Sequence, residues 1–118
     1  MKIAPSMSII RGLLFTYDIE NTDDLERERL ISSKNVNDEK ELTELFDELT
    51  KPDFLLYTEP DQEWFIGSIE HFLSADNTFD AVFKTMTMYF SEPVIDQKKF
   101  MQTLLSRLRI YKCLSAKN

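Results

Sequence analysis

Residues that do nucleophilic, acid–base or metal chemistry are few and scattered in this sequence. His71 is the only histidine and Cys113 the only cysteine, so the chain has neither a zinc-type ligand set nor a pair for an internal disulfide. Glu70 adjoins His71, but neighbouring helical positions point about 100° apart and do not face one ligand. A di-iron Glu-x-x-His pair needs glutamate at position 68, where this chain has serine. These residues predict no transition-metal site.

Two groups of carboxylates have a spacing with chemical meaning. The stretch from Asp76 resembles a calcium loop, but that loop needs glycine sixth and glutamate twelfth, where this chain has Ala81 and Thr87. The second group is three glutamates on one face of a predicted helix: Glu41, Glu44 and Glu48. Such a group holds a divalent ion or works as acid and base, yet the same spacing is typical of a solvated helix face. We predict no catalytic residue, metal or cofactor, and a protein that is not an enzyme.

Charge is segregated along the chain, whose net charge is −7. Residues 18–63 carry sixteen acidic and five basic side chains, and residues 97–118 carry six basic side chains and no acidic one. Summed fields of this kind steer partners of opposite sign and do not determine the fold. The acidic middle predicts a basic protein partner. The basic end either docks against that middle or touches RNA or lipid; net acidity favours neither nucleic acid nor membrane as a direct partner.

Composition predicts one mostly helical globular domain over residues 1–118. Hydrophobic residues make up 42% and aromatic residues 12%, which is enough apolar material for a core. Only two glycines occur, and this scarcity disfavours tight hairpins and phosphate-binding loops. The start of the sequence lacks the apolar run of a secretory signal, and no stretch is long enough to span a bilayer. We therefore expect a cytoplasmic protein.

Apolar residues that recur at helical period predict five helices. They cover residues 6–17, 23–32, 38–50, 60–74 and 97–112. Thr22, Asn37 and Asp96 are the expected caps of the second, third and fifth helices, because such side chains accept hydrogen bonds from first-turn amides. Pro52 is expected to end the third helix, since a proline ring clashes with the preceding turn.

Two further segments leave the fold class open between mainly α and α+β. Residues 78–90 place apolar side chains at helical spacing, but they also alternate apolar residues with threonine as a strand does; we favour the helix. The apolar run 54–57 is either a buried connector or a short strand, because four residues do not reveal a period. Strands at 54–58 and 82–90 would pair and produce an α+β fold. Otherwise the chain is a compact bundle of about five to six helices.

Two surfaces are candidate partner-binding sites. One is the charged side of the helix at 38–50, and the other is the turn from Tyr57 to Trp64, where aromatic residues flank carboxylates. Tyrosine and tryptophan are frequent hot-spot residues, and carboxylates around them meet lysine or arginine. The predicted contact residues are Glu41, Glu44, Asp47, Glu48, Tyr57, Glu59, Asp61, Glu63 and Trp64. The alternative is a solvated surface with Trp64 in the core.

Small size, acidity and predicted helicity together resemble the small immunity proteins of bacterial toxin systems, such as those that neutralise nuclease bacteriocins and contact-dependent inhibition toxins. The resemblance is one of overall size, charge and helix content, with no shared residue motif. It implies a non-catalytic inhibitor that binds a basic nuclease domain through acids at 38–48 and 57–64. The alternative function is a nucleic-acid mimic or regulatory adaptor that binds a DNA- or RNA-binding enzyme with the same acidity.

Overall fold

Helices joined by short connections make up most of the computed structural model, which describes residues 4–20 and 24–116, with side chains up to Leu114. The helices are α1 (Met7–Leu13), α2 (Leu25–Ser33), α3 (Glu39–Leu45), α4 (Lys51–Leu56), α5 (Glu59–Ser74), α6 (Asp80–Phe83) and α7 (Gln97–Ala116). A 3₁₀ turn (Leu14–Tyr17) extends α1, and a π-helical turn (Phe46–Thr50) joins α3 to α4. The prediction of a mainly-α bundle is confirmed.

The α+β alternative is wrong for the residues that the structure describes, because they contain no strand. Most of 54–58 belongs to α4, and in the segment 78–90 only Asp80–Phe83 is helical. Lys84 and Thr85 form a turn after it, and farther along one isolated antiparallel bridge pairs Met88 with Asp18. The predicted helix ends early because the threonines that follow α6 are stiff at χ1 and disfavour the helix.

The predicted cap of α7 is confirmed, and that of α2 is displaced. Asp96 Oδ1 accepts a hydrogen bond from the backbone N–H of Lys99 at 3.0 Å. Thr22 lies outside the described residues. Asp24 caps α2 by accepting from the backbone N–H of Arg27 at 3.1 Å. Asp24 lies two residues after the expected threonine and takes the same role, since both side chains accept from first-turn amides.

The sequence predicts that Asn37 caps α3. In the structure Asn37 does not cap this helix but binds the chain that leads into α7. The cap is Asp38, which accepts from the backbone N–H of Lys40 at 2.9 Å. Asn37 Nδ2 donates to the carbonyl of Pro93 at 3.0 Å, and its Oδ1 accepts from the N–H of Ile95 at 3.0 Å. An amide side chain offers both a donor and an acceptor, so Asn37 binds both sides of this extended segment.

Pro52 does not end the helix, which corrects the sequence prediction. The chain continues from α3 through the π-helical turn into α4, and the N–H of Lys51 donates to the carbonyl of Phe46, five residues back. The wider turn accommodates the proline ring, which clashes with the preceding turn in a regular α-helix. The turn is fixed from inside the protein by the hydroxyls of Tyr17 and Thr50, whose oxygens lie 2.6 Å apart.

The core lies where α7 packs against the α3–α4 segment on one side and α5 on the other, with α1 packed on α5 and α6. The fully buried aromatic side chains are Tyr17, Phe46, Phe54, Phe79, Phe100 and Tyr111. Phe46 and Phe100 join α7 to the π-helical turn, with their rings edge to face at 5.4 Å. Among the described residues, no helix has the length and apolarity to cross a membrane.

Candidate interaction surface

The single histidine and the single cysteine both lie on the outside of the fold. His71 is exposed, and its ring meets Phe72 edge to face at 5.1 Å. Cys113 is exposed on α7. Within residues 4–20 and 24–116, no three His, Cys, Asp or Glu side chains are grouped closely enough to hold a metal ion. The charged side chains have a more informative arrangement.

Four basic side chains of α7 are paired with carboxylates from other parts of the fold. The pairs are Lys98 with Asp76, Arg107 with Asp47, Arg109 with Glu70, and Lys112 with both Glu59 and Glu63. Charges that are segregated in the sequence therefore become neighbours of opposite sign in three dimensions. Of the two uses predicted for the basic end, docking against acidic parts of the same chain is the one that the structure shows.

Asp47 is the most firmly bound of the predicted contact residues. Arg107 Nε donates to its Oδ1 and Arg107 Nη2 to its Oδ2, each at 3.0 Å. The Tyr111 hydroxyl donates to the same carboxylate. Burial raises the pKa of the Tyr111 phenol, and the nearby Asp47 charge adds to this, so the hydroxyl stays protonated and remains a donor. Three donors on one carboxylate form a strong, specific link.

Asp47 therefore differs from Glu41, Glu44 and Glu48, with which the sequence analysis groups it on one charged side of the helix. Asp47 contacts α7, whereas none of the contacts that the three glutamates make within the described residues is with α7. Glu41 accepts from the backbone N–H of Asn35 at 3.1 Å. Glu44 lies 3.8 Å from the ammonium of Lys34. Both carboxylates thus hold the connection between α2 and α3.

The residues of the second predicted surface, the turn from Tyr57 to Trp64, point in different directions around α5. Trp64 is half-buried, and its indole N–H donates to the carbonyl of Ala4 at 2.8 Å, so it fastens the N-terminal segment to α5. Glu59 and Glu63 point to α7, where they meet Lys112. Within the second predicted surface, Trp64 therefore contacts the N-terminal segment while Glu59 and Glu63 contact α7. Glu48 is exposed and has no ion-pair partner in the described part of the chain.

A different surface forms where α4 turns into α5, and we call it the corner surface. It consists of Asp53, Leu55, Leu56, Tyr57 and Asp61. Leu56 is 86% exposed, Tyr57 38% and Leu55 37%. The Tyr57 ring stands edge to face on Phe65 with centroids 4.7 Å apart, so this aromatic side chain is held in place by the core while one part of it faces solvent.

Two carboxylates border the apolar part of the corner surface. Burial raises the pKa of the Tyr57 phenol, and the negative charges of Asp53 and Asp61 raise it further. Partial burial also raises the pKa of Asp53 itself, and the positive charge of Arg27 partly opposes this rise. The corner surface is thus a fixed apolar and aromatic step between two acidic side chains, one of which is disfavoured in its charged form.

Asp53, Leu55 and Leu56 were missed from the sequence, because the run 54–57 was interpreted as a buried connector or strand. Only Phe54 is buried. Three consecutive residues of a helix cannot share one face, so a helical assignment of 54–56 between the prolines at 52 and 60 would have predicted exposed leucines there. The helical assignment itself depended on the π-helical turn, for which the sequence has no recognised signal.

Comparison of the chain with known protein families, with characterised proteins and with solved structures finds no match.

Proposed function

We propose that this protein is a non-catalytic acidic inhibitor that binds a basic protein through the corner surface. The observation that carries the proposal is the exposure of Leu56 beside Tyr57. An apolar side chain that is 86% exposed, next to a core-supported tyrosine, has the composition of an interface centre, in which tyrosine and apolar groups are buried on binding.

The charges around the corner surface favour a basic partner. The negative charges of Asp53 and Asp61 act on the Tyr57 phenol, and Glu59 is 76% exposed at the start of α5. A lysine or arginine whose stem covers Leu56 and Tyr57 brings its charged head to these carboxylates. An arginine head also stacks favourably on a tyrosine ring. A partner with carboxylates at the same place would meet repulsion.

An immunity-like role follows from combining this surface with the acidity of the chain. Inhibitors of basic nuclease toxins associate rapidly because opposite net charges steer the encounter, and this chain carries a net charge of −7. The proposed partner is therefore a basic toxin domain, such as a bacterial nuclease, that the protein neutralises inside the producing cell.

The first experiment is co-expression with the product of the adjacent upstream reading frame of the native genome. We expect that product to be toxic alone, to be tolerated together with this protein, and to co-purify with it. Toxicity that persists with no complex formed would contradict the proposal.

A matched pair of variants assigns the binding to the corner. Leu56→Ser removes the exposed leucine of the corner, and Leu25→Ser removes a leucine on α2 that is 60% exposed. Hot-spot truncations weaken binding by about 2 kcal/mol or more, so we expect Leu56→Ser to lower affinity about thirtyfold and Leu25→Ser to leave it unchanged. A complex that DNA dissociates by competition, with both variants binding normally, would instead favour the nucleic-acid mimic.

A further inference from the structure

A groove opens between the α1 segment and the chain that follows α6. Its volume is about 360 Å³, which lies within the range of about 300–1,000 Å³ that is usual for small-molecule sites. Phe15 and Ile19 line the groove and are 46% and 42% exposed. The charged residues that line it are Arg11, Asp18 and Glu20. The groove shares no residue with the corner surface, so a site here is separate from the proposed interface.

Hydrogen bonds hold one wall of the groove in place. The backbone N–H of Ile19 donates to the carbonyl of Thr87 at 2.9 Å, and the Tyr89 hydroxyl donates to the carbonyl of Ile19 at 2.9 Å. Both backbone groups of Ile19 are thus bonded while its side chain faces solvent. The neighbouring Asp18 is buried, and its Oδ1 accepts from the backbone N–H of Glu20 at 2.8 Å. A wall that is already ordered lowers the entropic cost of binding a ligand.

Gly12, one of the two glycines of the chain, also lines the groove. Its φ angle is not positive, and a Cβ at this position would meet no atom from another described part of the chain within 4 Å. Neither its conformation nor its packing there requires glycine, which weakens a helix relative to alanine. The missing side chain leaves the backbone of α1 open to close approach by a ligand. Gly67 in α5 shares these features but does not line the groove, which makes it a matched control.

The charges of the groove fit a ligand that carries both signs. Arg11 is exposed and belongs to none of the ion pairs among the described residues. A plain carboxylate would be attracted by Arg11 and repelled by Asp18 and Glu20, and a plain amine would meet the opposite forces. A molecule with one carboxylate and one ammonium has a favourable partner for each charge. Phe15 and Ile19 add exposed apolar surface that such a molecule can cover with an apolar side chain.

We propose that this groove binds a free α-amino acid with an apolar side chain. The carboxylate of the ligand pairs with the Arg11 guanidinium, which offers two parallel hydrogen bonds to such a group. The ammonium is attracted by Asp18 and Glu20, and the side chain covers Phe15 and Ile19. The protein thereby gains a small-molecule site in addition to its proposed binding of a basic protein.

The test is an NMR titration of the ¹⁵N-labelled protein with L-phenylalanine. A ligand of about a dozen heavy atoms in an open groove binds with a Kd of about 1 mM, and we expect the amide shift changes at residues 8–20 and 85–87. 3-Phenylpropionate lacks the ammonium and 2-phenylethylamine lacks the carboxylate, so each should bind about tenfold more weakly. Equal binding of 3-phenylpropionate and L-phenylalanine would overturn the amino-acid proposal and indicate the apolar C-terminus of a partner chain instead.

Two matched pairs of variants assign the binding to the groove. Arg11→Gln should weaken L-phenylalanine binding about tenfold, and Arg29→Gln, at an exposed position of α2, should leave it unchanged. Gly12→Ala places a methyl group in the groove and should weaken binding about fivefold or more, whereas Gly67→Ala should not. Both alanine variants should raise Tm, since alanine favours the helix, so a loss of binding in Gly12→Ala is not a loss of folding. Equal affinities within each pair, or wild-type shift changes that avoid the groove, would overturn the proposal.

Discussion

The α7 helix and the corner surface carry the two signs of charge that the sequence separates, and the fold treats them differently. On α7, four of the cations are paired with carboxylates of the same chain. At the corner, Asp53 and Asp61 belong to none of the close ion pairs among the described residues, although the positive charge of Arg27 acts on Asp53, and both lie beside exposed apolar side chains. The basic side chains of α7 therefore pair with carboxylates within the bundle, and some carboxylates of the acidic middle have no such partner among the described residues.

This difference teaches that charge density along a sequence does not locate a binding surface. Asp47 and Glu59 come from equally acidic stretches, yet Asp47 is held by three donors while Glu59 has one distant ammonium beside it. Which carboxylates are available to a partner depends on how the helices pack. Exposed apolar side chains next to available carboxylates are the more specific indication.

The largest expected effect contrasts the inside and the outside of α4. Phe54→Ala removes a fully buried ring that packs near Phe65 and Tyr111, and it should destabilise the fold by about 3–5 kcal/mol. Leu56→Ala, two residues along, should change stability by no more than about 0.5 kcal/mol. Urea denaturation of both variants checks this. Comparable losses would mean that Leu56 is packed, and the corner surface would no longer be an exposed one.

The next effect concerns the ion pair that fastens α7. Asp47→Ala leaves the Arg107 guanidinium and the Tyr111 hydroxyl without their acceptor, and we expect a loss of about 1.5–3 kcal/mol. Glu48→Ala, which removes the adjacent exposed carboxylate, should stay within about 0.5 kcal/mol. Thermal unfolding of the two variants measures this difference in stability. An equal effect at both positions would show that net charge, and not this link, determines stability.

The smallest effect is a gain. Partial burial raises the pKa of Asp53 in the folded protein above its unfolded value, so the folded state binds the proton more tightly and stability falls as pH rises through that interval. Asp53→Asn should therefore stabilise the protein at neutral pH by up to about 0.5 kcal/mol. The gain should vanish below the usual aspartate pKa of about 3.9.

The matched control for this gain is Glu26→Gln, which removes an exposed charge on α2. Chemical denaturation at several pH values distinguishes the two variants, because only the corner aspartate has its charged form disfavoured by burial. A gain at Asp53 that persists unchanged into acid would mean that general charge repulsion is its cause. A residue that slightly destabilises the fold can be kept because it is needed for binding, and Asp53 would be such a residue.

Much of the fold could be predicted because its signals are local. The apolar stripe of α7 and the proline in the first turn of α5 follow from period and from cap chemistry. The continuation of the helix past Pro52 could not be predicted, because the π-helical turn depends on a contact between the Tyr17 hydroxyl and Thr50, which are 33 residues apart in sequence. Because Pro52 was expected to end the helix, the run 54–57 was assigned to a connector or strand, and its leucines were not predicted to be exposed.

The candidate site was less predictable than the fold. Asp47, Glu59 and Trp64 have the right chemistry for an interface, but their partners within the chain lie 53 to 64 residues away in sequence. Periodicity assigns a side chain to a face of its own helix and does not say which helix covers that face. Tyr57 and Asp61 were predicted because an aromatic residue beside carboxylates is a local feature.

The most direct test of the central claim is an NMR titration of the ¹⁵N-labelled protein with decalysine. The account predicts that the largest amide shift changes fall at residues 53–63, with little change at Glu41 and Glu44 of α3 and at Glu48 of the π-helical turn. Changes centred on those three glutamates, or spread evenly over all the acidic residues, would contradict the corner surface as the place where this protein binds a basic partner.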